Sequence, residues 1–158
     1  MKPRTTRFIA DAMLGSLARK LRAVGFDTAY YREGDDDGLL RLAESEARLI
    51  LTADTSLGSR ARKKGLTAFL VHGKTDGARM SSISSDAKLL GIRLNPGDSR
   101  CSVCNGSLRR ITKALAEGLV PKSVLPRHRL FLICLSCGQV YWRGGHWKKL
   151  RSFRRRLR

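Results

Sequence analysis

Residues 8–26 read Phe-Ile-Ala-Asp-Ala-Met-Leu-Gly-Ser-Leu-Ala-Arg-Lys-Leu-Arg-Ala-Val-Gly-Phe, and two periodicities meet inside this stretch. Phe8-Ile9-Ala10 is a short continuous apolar run closed by Asp11, the pattern of a buried strand. From there Leu14, Leu17, Ala18, Leu21 and Val24 recur at helical spacing until Gly25 stops them. A strand thus feeds a helix within twenty residues. The same alternation continues outward. Asp27–Tyr31 is short and β-prone, and Leu39, Leu40, Leu42, Ala43 and Ala47 predict a helix opened by Asp35-Asp36-Asp37. Leu49-Ile50-Leu51 is a second buried-strand run ending in Thr52-Ala53-Asp54. A basic helix is expected over about 56–64, a strand over 66–71 and a helix near 80–90. The order βαβαβαβα predicts the α/β class, with a mostly parallel sheet flanked by helices.

The chain has 158 residues, room for one ordinary domain and one small module. Hydrophobic residues make up 42% and fall in periodic runs, which argues against disorder. The 32 Lys+Arg against 13 Asp+Glu give a net charge of +19, so the expected partner is a polyanion, nucleic acid before others. No apolar run approaches the roughly 20 residues that span a bilayer, and no membrane partner is expected. The basic start MKPRTTRFIADAM lacks an apolar segment after it, which leads to an expected cytoplasmic location. The turn residues of LNPGDSR mark a boundary near Pro96. Before it, 17 basic residues face 11 acids; after it, 15 basic residues face only Asp98 and Glu117. Three units are expected: 1–96, 97–148, and a basic tail over 149–158.

In an open parallel sheet, ligands bind beyond the carboxyl ends of the strands. Asp11 and Asp54 each close a predicted strand, and Asp35–Asp37 follow the strand between them in sequence. All three groups therefore fall at one sheet edge. Clustered carboxylates repel unless a cation neutralises them, and hard oxygen ligands suit Mg²⁺ or Mn²⁺. Each acid also has a plainer reading as a helix N-cap, so a metal site and a set of caps both stay open.

Cys101-x-x-Cys104 and Cys134-x-x-Cys137 are two pairs 29 residues apart. Each pair places two thiolates on one tight turn, and two turns complete a tetrahedral Cys₄ site for structural Zn²⁺ with no open position for catalysis. The segment between them must hold a hairpin or a short helix near 112–118. A thioredoxin-like redox context is absent. After the second pair, Val140–Lys149 interleaves aromatic and basic side chains. Trp142 reads as packing for a small ribbon that needs large side chains. Arg143, His146, Trp147, Lys148 and Lys149 read as contacts to nucleic acid, through stacking and phosphate neutralisation. The tail is either a disordered arm or an amphipathic helix with Leu150, Phe153 and Leu157 on one face.

Several of these segments resemble one known family. Asp11–Asp27 is similar to the opening motif of the Mut-seven C-terminal RNase domain family, Asp35-Asp36-Asp37-Gly-Leu-Leu to its second acidic motif, and Leu51-Thr-Ala-Asp54 to its third. Cys101-x-x-Cys104-Asn105, Cys134-x-x-Cys137-Gly138 and Val140–Trp147 resemble the zinc ribbon that follows the nuclease domain. The resemblance runs over about residues 7–149 in the family's order. It implies a PIN-like nuclease fold with a small C-terminal zinc ribbon, acting on RNA. Asp11, Asp36 and Asp54 would be catalytic carboxylates holding Mg²⁺ or Mn²⁺, with Asp35 and Asp37 as neighbours able to share Asp36's role. Arg19 and Arg22, on the first helix, would contact phosphate or pair with the acids. Ala53 departs from the family, which often has Arg there.

Two functions follow. One is a metal-dependent ribonuclease that hydrolyses RNA phosphodiesters at the Asp cluster, its ribbon and tail binding RNA. The other is a non-catalytic RNA- or ribosome-binding zinc-ribbon protein whose acids are caps.

Overall fold

The computed structural model describes residues 5–157, without the side chains of His146, Trp147, Lys148 and Arg156. Residues 1–4, the basic start on which the location was argued, and Arg158 of the tail lie outside the described residues. The first part of the chain alternates as expected. Strands β1 (Arg7–Ala10), β2 (Asp27–Tyr30), β3 (Leu49–Thr52) and β4 (Ala68–Leu70) form one sheet, every neighbouring pair parallel, in the order β2-β1-β3-β4. Helices α1 (Gly15–Ala23), α2 (Asp36–Ser45), α3 (Thr55–Lys63) and α4 (Asp76–Leu89) follow the successive strands, with a 3₁₀ turn at Ala12–Leu14 between β1 and α1. Helix α4 starts earlier than its apolar pattern suggests because Thr75 caps it, accepting from the Ala78 amide at 3.2 Å.

Period-two alternation divides the core into two layers. Phe8 and Ala10 of β1 and Leu51 of β3 face a cluster with Leu17 and Leu21 of α1 and Met80 and Ile83 of α4. Ile9 and Ile50 face the opposite way, against Leu39, Leu40 and Ala43 of α2 and Leu57 and Ala61 of α3. Helices therefore cover both faces, and the sheet is buried between them. The first layer is centred on three rings, with Phe8 lying 5.3 Å from Phe26 and 6.5 Å from Phe69 between centroids.

The second part is a three-stranded antiparallel ribbon, β5 (Leu108–Ile111), β6 (Phe131–Cys134) and β7 (Val140–Trp142), in the order β5-β6-β7. Between β5 and β6 stands α5 (Lys113–Ala116), the short helix rather than the hairpin of the two forms the spacing allowed. The ribbon has its own small core of Ile111, Ala116, Val120, Phe131 and Val140. Trp142 is not part of it. It is 37% exposed, contrary to its reading as ribbon packing, because it closes β7 opposite Phe131 at the end of the ladder.

The last helix, α6 (Gly145–Arg156), packs on α4. Leu157 is 2% exposed and joins the first core layer, with Leu150 and Phe153 packed against it. Of the two readings of the tail, the amphipathic helix is the one the chain adopts.

Linker and ribbon are pinned to the end of the sheet where β2 begins. The Thr6 amide donates to the Asn95 carbonyl, and the Gly97 amide donates to the Gly25 carbonyl at 2.8 Å. Gly25 has φ +106°, and a Cβ there would sit 2.2 Å from the Gly97 oxygen, so only glycine permits this approach.

Candidate active site and cysteine centre

The register of the parallel ladder builds the carboxyl edge. Ala10 of β1 lies opposite both Tyr30 of β2 and Leu51 of β3, so the residues just beyond these strands are neighbours. Asp11 follows Ala10 on the central strand, and its amide donates to the Leu51 carbonyl at 3.1 Å. It is 7% exposed. One carboxylate oxygen caps the 3₁₀ turn by accepting from the Met13 amide at 3.0 Å, and the other accepts from the Thr52 hydroxyl. That same hydroxyl accepts from the Asp54 amide at 2.9 Å. Thr52 thus joins the two acids that close β1 and β3.

Asp54 is the N-cap of α3, and one of its oxygens accepts from the Ser56 and Leu57 amides at 2.7 and 3.3 Å. Its other oxygen takes no hydrogen bond among the described residues. Asp35 is the N-cap of α2, accepting from the Gly38 amide at 2.7 Å and from the Tyr31 hydroxyl. These bonds hold its carboxyl below the ordinary range, and the Tyr31 hydroxyl is pushed up by the same contact. Asp36 and Asp37 stand in the first turn of α2, and Arg60 of α3 reaches across to both, at 2.8 and 2.5 Å.

The edge therefore gathers all the acids the sequence singled out, but with different attachments. Asp11 and Asp54 are linked through Thr52. Asp36 is tied to α3 through Arg60, so part of the charge that a cluster of carboxylates must neutralise is balanced by an arginine. Asp11, Asp36 and Asp54 do not form a group with ligand atoms all within 4.8 Å of one another; among the described residues only the four cysteines do. In donor chemistry the three acids fit a hard divalent cation, and the free Asp54 oxygen and the second Asp36 oxygen are available to it. Thr52 and Arg60 were missed by sequence reasoning. Thr52 had a signal, its place in Leu51-Thr-Ala-Asp54; Arg60 had none, since its partners lie on another helix.

The cysteines come together as their spacing required. Cys101 Sγ lies 3.6 Å from Cys137 Sγ, and Cys104 Sγ lies 3.4 Å from Cys134 Sγ. Four thiolates at about 2.3 Å from one zinc are separated by distances of this order, so the cluster can hold a metal such as zinc. After the first pair Asn105 takes the left-handed conformation, φ +67°, and after the second Gly138 does so, φ +76°. Gly106 serves a different purpose: a Cβ there would sit 2.9 Å from Cys134 Sγ. Burial pushes the Cys101 thiol up, but the Tyr141 hydroxyl and the backbone amides of Cys104 and Val103 outweigh it and bring it down to about 6. The thiolate, the ligand form, is thereby favoured.

Arg22 is not at the carboxyl edge. It lies at the other end of α1, 6% exposed, where Nε donates to the Thr28 carbonyl at 2.8 Å and Nη1 to the Ser102 and Val103 carbonyls at 3.0 and 2.9 Å. The phosphate contact expected of it is corrected to a structural role, because every donor direction in use points at a protein carbonyl. Burial pulls its pKa down from the ordinary value, while Cys101 and Cys104 oppose the shift. Asn105 strengthens the same junction, accepting from the Thr28 amide and donating to Asp27 at 2.8 Å. Arg19, one turn earlier, is exposed, as are Arg143 and Lys149. The side chains of His146, Trp147 and Lys148 lie outside the described residues.

A family model, the Mut7-C RNAse domain, matches residues 6–154, nearly the whole chain. No curated protein and no solved structure matches it. The chain belongs to the Mut7-C RNAse domain family, whose description points to a nuclease-type function with RNA as substrate.

Proposed function

We propose that this member of the Mut7-C RNAse domain family is a metal-dependent ribonuclease of PIN-like fold, hydrolysing RNA phosphodiesters at the edge formed by Asp11, Asp36 and Asp54. The observation that carries the reading is the link through Thr52. It joins a nearly buried carboxylate on the central strand to the acid that closes the next strand, where an α/β sheet binds its ligands. Asp11, Asp36 and Asp54 are the residues that would hold Mg²⁺ or Mn²⁺. Such ions, when bound, supply activated water and neutralise charge developing on the phosphate. The chain's own contributions are positional. Thr52 fixes the rotamer of Asp11, the Ser56 and Leu57 amides fix Asp54, and Arg60 holds Asp36 in place while offering a cation at the rim.

Structural zinc on Cys101, Cys104, Cys134 and Cys137 would keep the ribbon folded and take no part in the chemistry. The ribbon and basic α6 would bind RNA, with Arg19, Arg143, His146, Trp147, Lys148 and Lys149 as contacts. One observation favours the non-catalytic alternative: Arg60 already balances Asp36 and Asp37, and Asp11 and Asp54 are both caps.

Cleavage of an end-labelled single-stranded RNA with Mn²⁺ or Mg²⁺ decides between them. Cutting that needs the added metal and disappears in Asp11→Asn supports the nuclease. Equal cutting by wild type and by both Asp11→Asn and Asp54→Asn removes the proposed site. Binding without cutting, under every metal tried, favours the binding protein.

A further inference from the structure

We propose that the cavity between α1, the ribbon and α6 is a binding site for one unpaired base of an RNA strand, stacked on Trp142. Its volume is about 750 Å³, ample for a nucleotide. Its walls are largely apolar, and Trp142, Tyr141 and Phe153 all line it. The ring of Phe153 already has the Lys20 ammonium over one face at 5.2 Å, and Lys20 is itself paired with Asp76 at 2.6 Å. Trp142 is the half-exposed platform. Arg19, Arg100 and Lys149 also line it, Arg100 with its Nε donating to the Asn105 carbonyl at 2.9 Å, and among the described residues no acidic side chain does. An aromatic platform beside cationic side chains is complementary to a nucleotide, whose base is a flat apolar surface and whose phosphate is an anion.

The position suits the proposed nuclease reading, on which this inference rests in part. Helix α1 connects the 3₁₀ turn after Asp11 to the cavity, and nine residues of α-helix span about 13 Å. Arg19 is exposed midway along that path. A strand with one base held on Trp142 reaches the carboxyl edge along α1 within a few nucleotides. The cavity would therefore set the distance between a recognised unpaired base and the bond that is cut.

The test uses the full chain with its zinc, in an Asp11→Asn background so that RNA stays intact. The affinity of a labelled single-stranded RNA is measured beside the same RNA carrying one abasic position, moved along the sequence. Trp142→Ala is expected to weaken binding roughly tenfold or more, and Trp142→Phe to recover most of the loss. Some abasic position costs the parent a similar factor and costs Trp142→Ala nothing. Ala23→Met, which narrows the cavity beside Trp142 without filling it, is expected to give a smaller loss in the same direction and serves if Trp142→Ala does not fold. Parental affinity in Ala23→Met, or in Trp142→Ala with its zinc and melting temperature unchanged, overturns the proposal. So does competition by polyglutamate as strong as by RNA with no abasic effect, which would make the cavity a site for an acidic protein segment. Failure of the nuclease reading is seen separately. If the wild type cuts RNA while the cavity variants bind normally, only the base site falls. If these variants lose affinity but the wild type cuts nothing with Mg²⁺ or Mn²⁺, only the nuclease falls.

Discussion

Replacing Arg22 with methionine tests how the two parts of the molecule are held together. The guanidinium makes three hydrogen bonds at 2.8–3.0 Å, one to β2 and two to the loop between Cys101 and Cys104. A hydrogen bond from a charged donor contributes about 1.5–3 kcal/mol. The three share one side chain, and the Ser102 and Val103 carbonyls lie near water, so their contributions are not summed in full. Methionine fills most of the volume of the arginine stem, which keeps the cavity penalty small. The expected loss is about 3–5 kcal/mol, which for a chain of this size lowers Tm by roughly 6–20 °C. Arg22→Lys is expected to recover little, because one ammonium cannot reach three carbonyls in the plane of a guanidinium. Thermal unfolding and single-stranded RNA affinity are measured on the same samples. An unchanged Tm together with a tenfold loss of RNA affinity would refute the structural assignment and return Arg22 to phosphate binding.

Three further outcomes are expected. Thr52→Val is nearly isosteric and removes the hydroxyl between Asp11 and Asp54; kcat on RNA should fall by roughly 10–100-fold and Tm should drop as well, because a nearly buried Asp11 oxygen loses its donor, Thr52→Ser should restore both, and an unaltered kcat in the valine variant would show the link to be idle. Burial pushes the Asp27 carboxyl up, but hydrogen bonds from Arg48 and Asn105 outweigh it and leave its pKa below the ordinary value. A depressed folded pKa stabilises the protein above the unfolded value near 3.9 and loses that stability as pH falls through the folded one. Denaturant midpoints should therefore drop below about pH 4 and do so less steeply in Asp27→Asn; parallel profiles would remove Asp27 from the account. Gly25→Ala combines a φ of +106° with the 2.2 Å clash against Gly97, and should cost roughly 2–4 kcal/mol; wild-type stability would mean that the linker does not pack there.

The sheet, its helices and the cysteine turns were legible because each is written in short-range pattern. Leu17 and Leu21 share a face by spacing alone, and Cys101 and Cys104 share a turn for the same reason. What spacing leaves open is which element lies opposite. The 150, 153, 157 stripe announced an amphipathic helix but not that α4 and the first core layer would receive it. Arg22 looked like a surface cation because burial of a guanidinium depends on carbonyls eighty residues away. The acids at Asp11, Asp35 and Asp54 turned out to be caps, as local chemistry allows, while also standing at the edge that topology prescribes. Arg60 bridging to Asp36 and Asp37 needed two helices to be packed before it existed.

The seat of Leu157 bears on how the chain is made. All four strands of the parallel sheet have been synthesised by residue 70, yet one of their two covering layers takes in a side chain from residue 157. Domains fold as units while they emerge from the ribosome, so a nascent chain carries an unfinished apolar face through the whole time the ribbon is being translated. A product released early, before the last turn of α6, exposes that face and is marked for proteolysis or aggregation. The α1 and α4 layer is thus completed only once the last turn of α6 has been made.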